Sequence, residues 1–190
     1  MKDLKKAIIE QAEVLPGDVL KVEGFLNHQV DIELIAECGK MWYEKFKNEG
    51  ITKILTIESS GIAIASLTAQ YFGVPMIYAK KAKSAAYGKD HYTTKVVSYT
   101  HSQTYDVFVS KKFITPDDKI LLIDDFLANG SALKGLITLS EMGGAKVVGA
   151  GVVIEKEYEN GGKDIRDLGY RIEPLAKIKC IENGNVIFAE

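Results

Sequence analysis

Two hydrophobic periods run along the chain, and the places where one gives way to the other mark its elements. Residues 3–13 (DLKKAIIEQAE) carry apolar positions at helical spacing and predict a short amphipathic helix, followed by a turn at Pro16-Gly17 and an irregular segment over 18–29. From Asp31, placed to cap, Leu34, Ile35, Cys38, Met41, Trp42 and Phe46 recur at three- and four-residue steps. They predict a helix packed on the core along that stripe and ending before Gly50. The run ITKILTI then reads as a strand, ESSG as a tight loop, residues 62–71 as a small-residue helix closed by Gly73, and VPMIYAK as a second strand. Strand, helix and strand in that order predict a βαβ unit and a parallel sheet. A further such pass starts with KILLIDD, continues through FLANGSALKGLITLSEM to Gly143-Gly144, and returns as AKVVGAGVVIEK. Between the passes, small and polar residues over 84–90 precede two β-like runs, 93–100 and 103–110, joined around His101-Ser102. They predict a hairpin standing off the main sheet. A glycine-rich turn at 160–162, a short helix and strand-like runs RIEPLAKIKCI and NVIFAE complete the chain. No repeat, heptad or linker divides it, so residues 1–190 are expected to form one α/β domain.

Composition narrows the partners. Lys and Arg number 24 against 26 Asp and Glu, a net charge of -2, and the pI is about 6.0. No broad positive field is available to hold nucleic acid by counterion release, so any anionic ligand must be met locally. Cys38 and Cys180 lack metal-ligand spacing and suit a reducing compartment better than a disulfide framework; no zinc site is expected. The N-terminal stretch MKDLKKAIIEQAEV has no apolar signal core, and the longest apolar run, residues 147–154, is far too short to span a bilayer. A soluble cytoplasmic protein without membrane contact is expected.

The most informative stretch is KILLIDDFLANGSA, residues 119–132. A buried parallel strand delivers Asp124 and Asp125 at its carboxyl end, where open α/β sheets hold their ligands. Asn129, Gly130 and Ser131 then start a helix whose open N–H groups and positive dipole end suit a phosphate. Either half alone is an ordinary strand end or helix cap; their spacing on one strand, loop and helix is specific. A phosphate on a polyol satisfies both halves, since carboxylates accept hydrogen bonds from vicinal hydroxyls. Glu58-Ser59-Ser60-Gly61 offers a second anion cradle at the same sheet edge, and Lys80, Lys81 and Lys83 follow the next strand. Two cradles point to a sugar phosphorylated at both ends.

ILLIDDFLANGSA resembles the phosphoribosyl-pyrophosphate signature of the type I phosphoribosyltransferase family. VLKVEGFLNHQVD, TIESSGIA, IDDFLANG and VVIEK, together and in order, resemble the branch of that family that salvages xanthine. The resemblance spans nearly the whole chain. It implies a parallel sheet flanked by helices, a small hood from about 1–30 and 160–190 over the base pocket, and a mobile hairpin. It also implies transfer of a 5-phosphoribosyl group from phosphoribosyl pyrophosphate to the purine N9, with magnesium bound mainly through that substrate and no direct protein ligand to the metal, in a homodimer. Ala128, Asn129, Gly130, Ser131 and Ala132 would hold the 5-phosphate, and Asp124 with Asp125 the ribose hydroxyls. Ser59, Ser60 and Gly61 would hold the pyrophosphate, helped by Lys81. Leu20, Asn27 and Lys156 would hold the base, and His28 is given no catalytic role. Asn129 and Ala132 stand where threonines are usual, which leaves more of the phosphate to backbone amides.

An ammonium at residue 156 would donate to a purine carbonyl and repel an exocyclic amine. Some relatives use an aspartate to protonate the purine at N7 where this chain has Ala128; xanthine, the more acidic purine, needs that help least. The residues 84–110 hairpin is a candidate lid, with Ser98 and Tyr99 as contacts. The rival readings are the same chemistry on guanine, hypoxanthine or adenine, and a regulator that senses phosphoribosyl pyrophosphate without catalysis. Residues before Asp31 are too few and too lightly charged for a DNA-binding helix-turn-helix. A receiver domain is disfavoured because ITKILTIESSG lacks its acidic pattern.

Overall fold

The computed structural model describes residues 3–82, 89–97 and 104–189. Helix α1 (Leu4–Gln11) is capped by Asp3, whose carboxylate accepts from the Lys5 N–H at 2.9 Å. The segment expected to be irregular is ordered: β1 (Glu13–Leu15) and β2 (Val19–Lys21) form a hairpin, and Glu23–Asn27 is one π-helical turn that buries Phe25 and Leu26. Helix α2 (Ile32–Phe46) starts at Asp31, which accepts from the Leu34 N–H at 3.2 Å. Its stripe is buried as expected except at Met41, which is 46% exposed at the edge of the apolar face.

Strand β3 (Lys53–Ile57), α3 (Gly61–Phe72) and β4 (Met76–Ala82) make the first βαβ unit, with Gly73 closing α3 at φ 65°, a conformation that glycine adopts without a Cβ penalty. Strand β7 (Lys119–Leu127), α4 (Ser131–Met142) and β8 (Lys146–Lys156) make the other, and β7 runs two residues beyond the acidic pair. The chain ends in α5 (Gly161–Asp167), β9 (Ile172–Glu182) and β10 (Asn185–Phe188). Strands β5 (His91–Val97) and β6 (Thr104–Ser110) pair antiparallel. That hairpin does not stand off the sheet. β4 is long enough to pair with β3 through Met76–Ala79 and then with β6 through Lys80–Ala82, so the hairpin extends the sheet. The connecting residues 98–103, with Ser98 and Tyr99, and residues 83–88, with Lys83, lie outside the described residues.

The eight strands run β10-β9-β8-β7-β3-β4-β6-β5, parallel from β9 to β4 and antiparallel at both edges. The first crossover steps from β3 outward to β4 and the second from β7 outward to β8, in opposite directions. Right-handed crossovers therefore place α3 and α4 on opposite faces. Each face has its own core: Leu34, Ile35, Trp42, Phe46 and Ile64 on one, Leu133, Leu136, Leu139 and Ile165 on the other. Between β3 and β7 the chain leaves the sheet toward opposite faces, and such a switch point opens a crevice at the carboxyl ends of the strands. Among the described residues no helix is long and apolar enough to cross a membrane.

In the first core Trp42 packs closely over β8. The indole is fully buried, its Nε1–H donates to the Glu173 carbonyl at 2.9 Å, and a Cβ added at Gly151 would lie 2.7 Å from the ring. The ring is pinned and cannot yield cheaply. Gly151→Ala is expected to destabilise the fold by about 1–3 kcal/mol, and so to lower Tm by roughly 3–10 °C in a thermal melt. An unchanged Tm would show that the indole is free to move.

Candidate active site

The crevice between β3 and β7 is a cavity of about 520 Å³. Its walls include Leu20, Asn27, Ser60, Lys81, Asp124, Asp125, all of residues 128–132, and Lys156, residues drawn from five separate stretches of sequence.

The acidic pair is held by its own backbone. The Asp125 N–H donates to Asp124 Oδ1 and the Phe126 N–H to Asp125 Oδ1, each at 3.0 Å, so both carboxylates are fixed by the next amide along β7. The Asn27 amide donates to Asp125 Oδ2 at 3.2 Å, tying the N-terminal segment to the same carboxylate. Asp124 is 3% exposed. Burial, reinforced by the neighbouring Asp125 charge, holds its carboxyl well above the ordinary range, and Lys81 offsets this only in part.

Beyond the pair, Gly130 turns the chain at φ 78° into α4. Asn129 Oδ1 accepts from the Ser131 N–H at 3.0 Å, and Ser131 Oγ accepts from the Val97 N–H at 2.9 Å. Two of the expected phosphate groups thus shape the loop as well as facing the cavity. With the Ser131 N–H taken by Asn129, the amides of Ala132 and Leu133 in the first turn of α4 and the Ser131 hydroxyl are the groups this loop can offer an anion.

On the β3 side, Glu58 accepts from the Lys81 N–H at 2.6 Å, and the Glu58-Ser59 peptide is cis. Ser60 faces the cavity; Ser59 and Gly61 are not on its wall. Gly61 is buried where a Cβ would run into the Thr56 hydroxyl, so its glycine is explained by packing. Lys81 reaches the cavity, whereas Lys80 is exposed with its ammonium 6.0 Å from the Tyr78 ring.

Lys156 is no surface lysine. It is 5% exposed, and its ammonium donates to the Asp18 carbonyl at 3.1 Å and lies 3.5 Å from Glu159 Oε1. That bond also anchors the β1–β2 turn to the end of β8. Leu20, 6% exposed, adds apolar wall, and His28 is not among the lining residues. Phe126, Val96, Val97 and Tyr105 line the cavity too. No local signal could have announced the last three, because they belong to the hairpin that the sheet brings in from its edge.

The hard oxygen donors at the end of β7 are Asp124 and Asp125, and no group of three or more His, Cys, Asp or Glu side chains forms a metal cage among the described residues. This donor set fits a divalent cation that arrives on an anionic substrate and keeps most of its own shell.

Residues 28–181 match the phosphoribosyl transferase domain. The chain is 53% identical over 190 residues to the xanthine phosphoribosyltransferase of Lachnoclostridium phytofermentans, covering 99% of this chain and 98% of that protein. It is 49% identical to the protein of the same name from Bacillus cytotoxicus, covering 100% and 96%. Among solved structures, the adenine phosphoribosyltransferase of Giardia lamblia complexed with 9-deazaadenine superposes with a TM-score of 0.78 at 22% identity, over 93% of this chain and 98% of that one. That of Trypanosoma brucei, in complex with AMP, pyrophosphate and ribose-5-phosphate, gives 0.76 at 18% identity, over 96% and 82%. At such identities the likeness is one of fold.

Proposed function

The chain belongs to the phosphoribosyl transferase family, and from that premise we infer that it transfers the 5-phosphoribosyl group of phosphoribosyl pyrophosphate to N9 of xanthine, giving xanthosine 5′-monophosphate and pyrophosphate. The observation that carries this reading is the convergence of an acidic pair, a helix-start loop and a buried lysine on one crevice.

In the proposed assignment Ala128–Ala132 bind the 5-phosphate through amides of the α4 start. Asp124 and Asp125 accept from the ribose hydroxyls, and Ser59, Ser60 and Gly61 with Lys81 meet the pyrophosphate. Leu20, Asn27 and Lys156 bind the base. Of these, Ser60 and Lys81 line the cavity, and Ser59 and Gly61 lie off its wall. Departure of pyrophosphate leaves an oxocarbenium-like sugar, so the protein must position two reactants and stabilise an anion, and needs no covalent nucleophile. Magnesium bound with phosphoribosyl pyrophosphate, facing Asp124 and Asp125, would supply charge neutralisation to the leaving group. Residue 128 is alanine, with no carboxyl to protonate N7, which favours a purine that is itself acidic. Residues 1–30 and 160–190 are proposed as the hood, the hairpin of β5 and β6 as the lid, a symmetric homodimer as the assembly, and the cytoplasm as the location.

Pyrophosphate release, measured in parallel with xanthine, guanine, hypoxanthine and adenine in the presence of phosphoribosyl pyrophosphate and magnesium, tests the reading. Xanthine is expected to lead, by at least about 10²-fold over adenine, which would set an amine against the Lys156 donor. Turnover of no base would overturn the enzyme; adenine in the lead would overturn the assignment of Lys156.

A further inference from the structure

The glycine pair that opens α5 and the charges beside it have no role above beyond the hood proposed for residues 160–190, yet Gly161 and Ile165 of that helix touch the 128–130 turn. In α5, residues four apart share a face. Gly161 and Ile165 form the row facing that turn. The Gly161 N–H donates to the Ala128 carbonyl at 3.2 Å, and a Cβ at Gly161 would run into the Ala128 carbonyl and the Asn129–Gly130 peptide. The Gly130 turn in its place rests close on Ile165 Cδ1 and Gly161 Cα, which a Cβ there would meet at 3.0 and 3.2 Å.

The adjacent row, Gly162 and Arg166, faces Glu155. The Glu155 side chain is 3% exposed on β8, and Arg166 grips it with two parallel bonds of 2.6 and 2.7 Å. A Cβ at Gly162 would strike Glu155 Oε1 and stand 2.8 Å from Arg166 Nη1. One row therefore locks the helix to β8 while the other forms the bed of the loop. A two-point fork between planar groups fixes the roll of a seven-residue helix in a way that an apolar contact does not.

We propose that Glu155 and Arg166 are positioning residues for the 5-phosphate: their fork sets the roll of α5, and Gly161 transmits it to the Ala128–Gly130 turn. The proposal rests on the reading of residues 128–132 as the 5-phosphate loop. Because neighbouring residues of a strand point to opposite faces, Glu155 acts away from Lys156 and the base. Its loss should fall on one substrate.

The test measures KM for phosphoribosyl pyrophosphate and for xanthine together with the Kd for ribose 5-phosphate by calorimetry. Gly161→Ala is expected to raise the KM for phosphoribosyl pyrophosphate and the ribose 5-phosphate Kd by ~10- to ~10²-fold, with KM for xanthine within ~3-fold. Arg166→Lys, which keeps the charge and loses the fork, should move them the same way by ~5-fold or more. The double variant Glu155→Met/Arg166→Met separates positioning from stability. A buried ion pair replaced by apolar side chains usually keeps or gains stability, so its Tm should hold while its phosphate-side constants stay raised. Wild-type constants in that variant, or equal losses for both substrates in Arg166→Lys, would overturn the proposal. Failure of the wild-type protein to bind ribose 5-phosphate would instead overturn the reading of the loop itself.

Discussion

Asparagine at both Asp124 and Asp125 is expected to lower kcat/KM for phosphoribosyl transfer by about 10²- to 10³-fold without unfolding the protein. A hydrogen bond to a charged group contributes about 1.5–3 kcal/mol, so weakening two of them in the transition state costs roughly 3–5 kcal/mol, at about 1.4 kcal/mol for each tenfold. The fold should survive because an asparagine oxygen still accepts from the amides that now hold the carboxylates. Stability should even rise. The Asp124 carboxyl titrates well above 3.8 in the folded protein because it is buried beside Asp125. Above pH 3.8 the unfolded chain therefore sheds this proton first, and the folded state loses stability as pH climbs from there through the raised pKa. Asp124→Asn removes that loss. Its Tm should equal or exceed that of the wild type at pH 7, and the advantage should shrink as pH falls toward 4, where both proteins carry a neutral group. Full activity in both single variants would contradict the ribose-binding role, and a Tm gain that grew on acidification would contradict the buried-carboxyl account. A site kept at the expense of stability is what a functional carboxylate pair should show.

The parts of the molecule written in local period were legible in advance. The two βαβ units, the Asp31 cap, the Gly73 stop and the acidic pair ahead of Gly130 each follow from residues within a few positions of one another. What could not be read depends on partners distant in sequence. The hairpin of β5 and β6 has a strand's alternation, but its attachment to the sheet depends on β4 presenting an open edge at Lys80–Ala82. Asn27 carries no mark that its amide would reach Asp125, 98 positions away. Gly161-Gly162 reads as a plain turn; only the close approach of the Ala128 carbonyl and of Glu155 shows why neither position has room for a Cβ. Lys156 is the sharpest case. By sequence it could pass for a solvated strand end, and its burial comes from the β1–β2 turn folding over it.

That burial makes the second large effect a change of preference more than of rate. Lys156→Met, which keeps most of the side-chain volume, is expected to cut kcat/KM for xanthine by about 10²-fold or more while leaving adenine within a few-fold, since a site that has lost its donor no longer rejects adenine's exocyclic amine. The ammonium lies in a wall where its direction is set by the Asp18 carbonyl and Glu159, so a purine carbonyl meets a donor already oriented. Removing it leaves Glu159, whose side chain is 13% exposed, beside an apolar neighbour. Part of any loss could then come from that carboxylate rather than from the base. Lys156→Met/Glu159→Gln separates the two: if the base contact matters, the neutral pair regains Tm and keeps the altered preference. Kinetics with xanthine and adenine on both variants decide the matter. An unchanged xanthine-to-adenine ratio in Lys156→Met would take Lys156 out of base selection and leave it as the pin that holds the β1–β2 turn on β8.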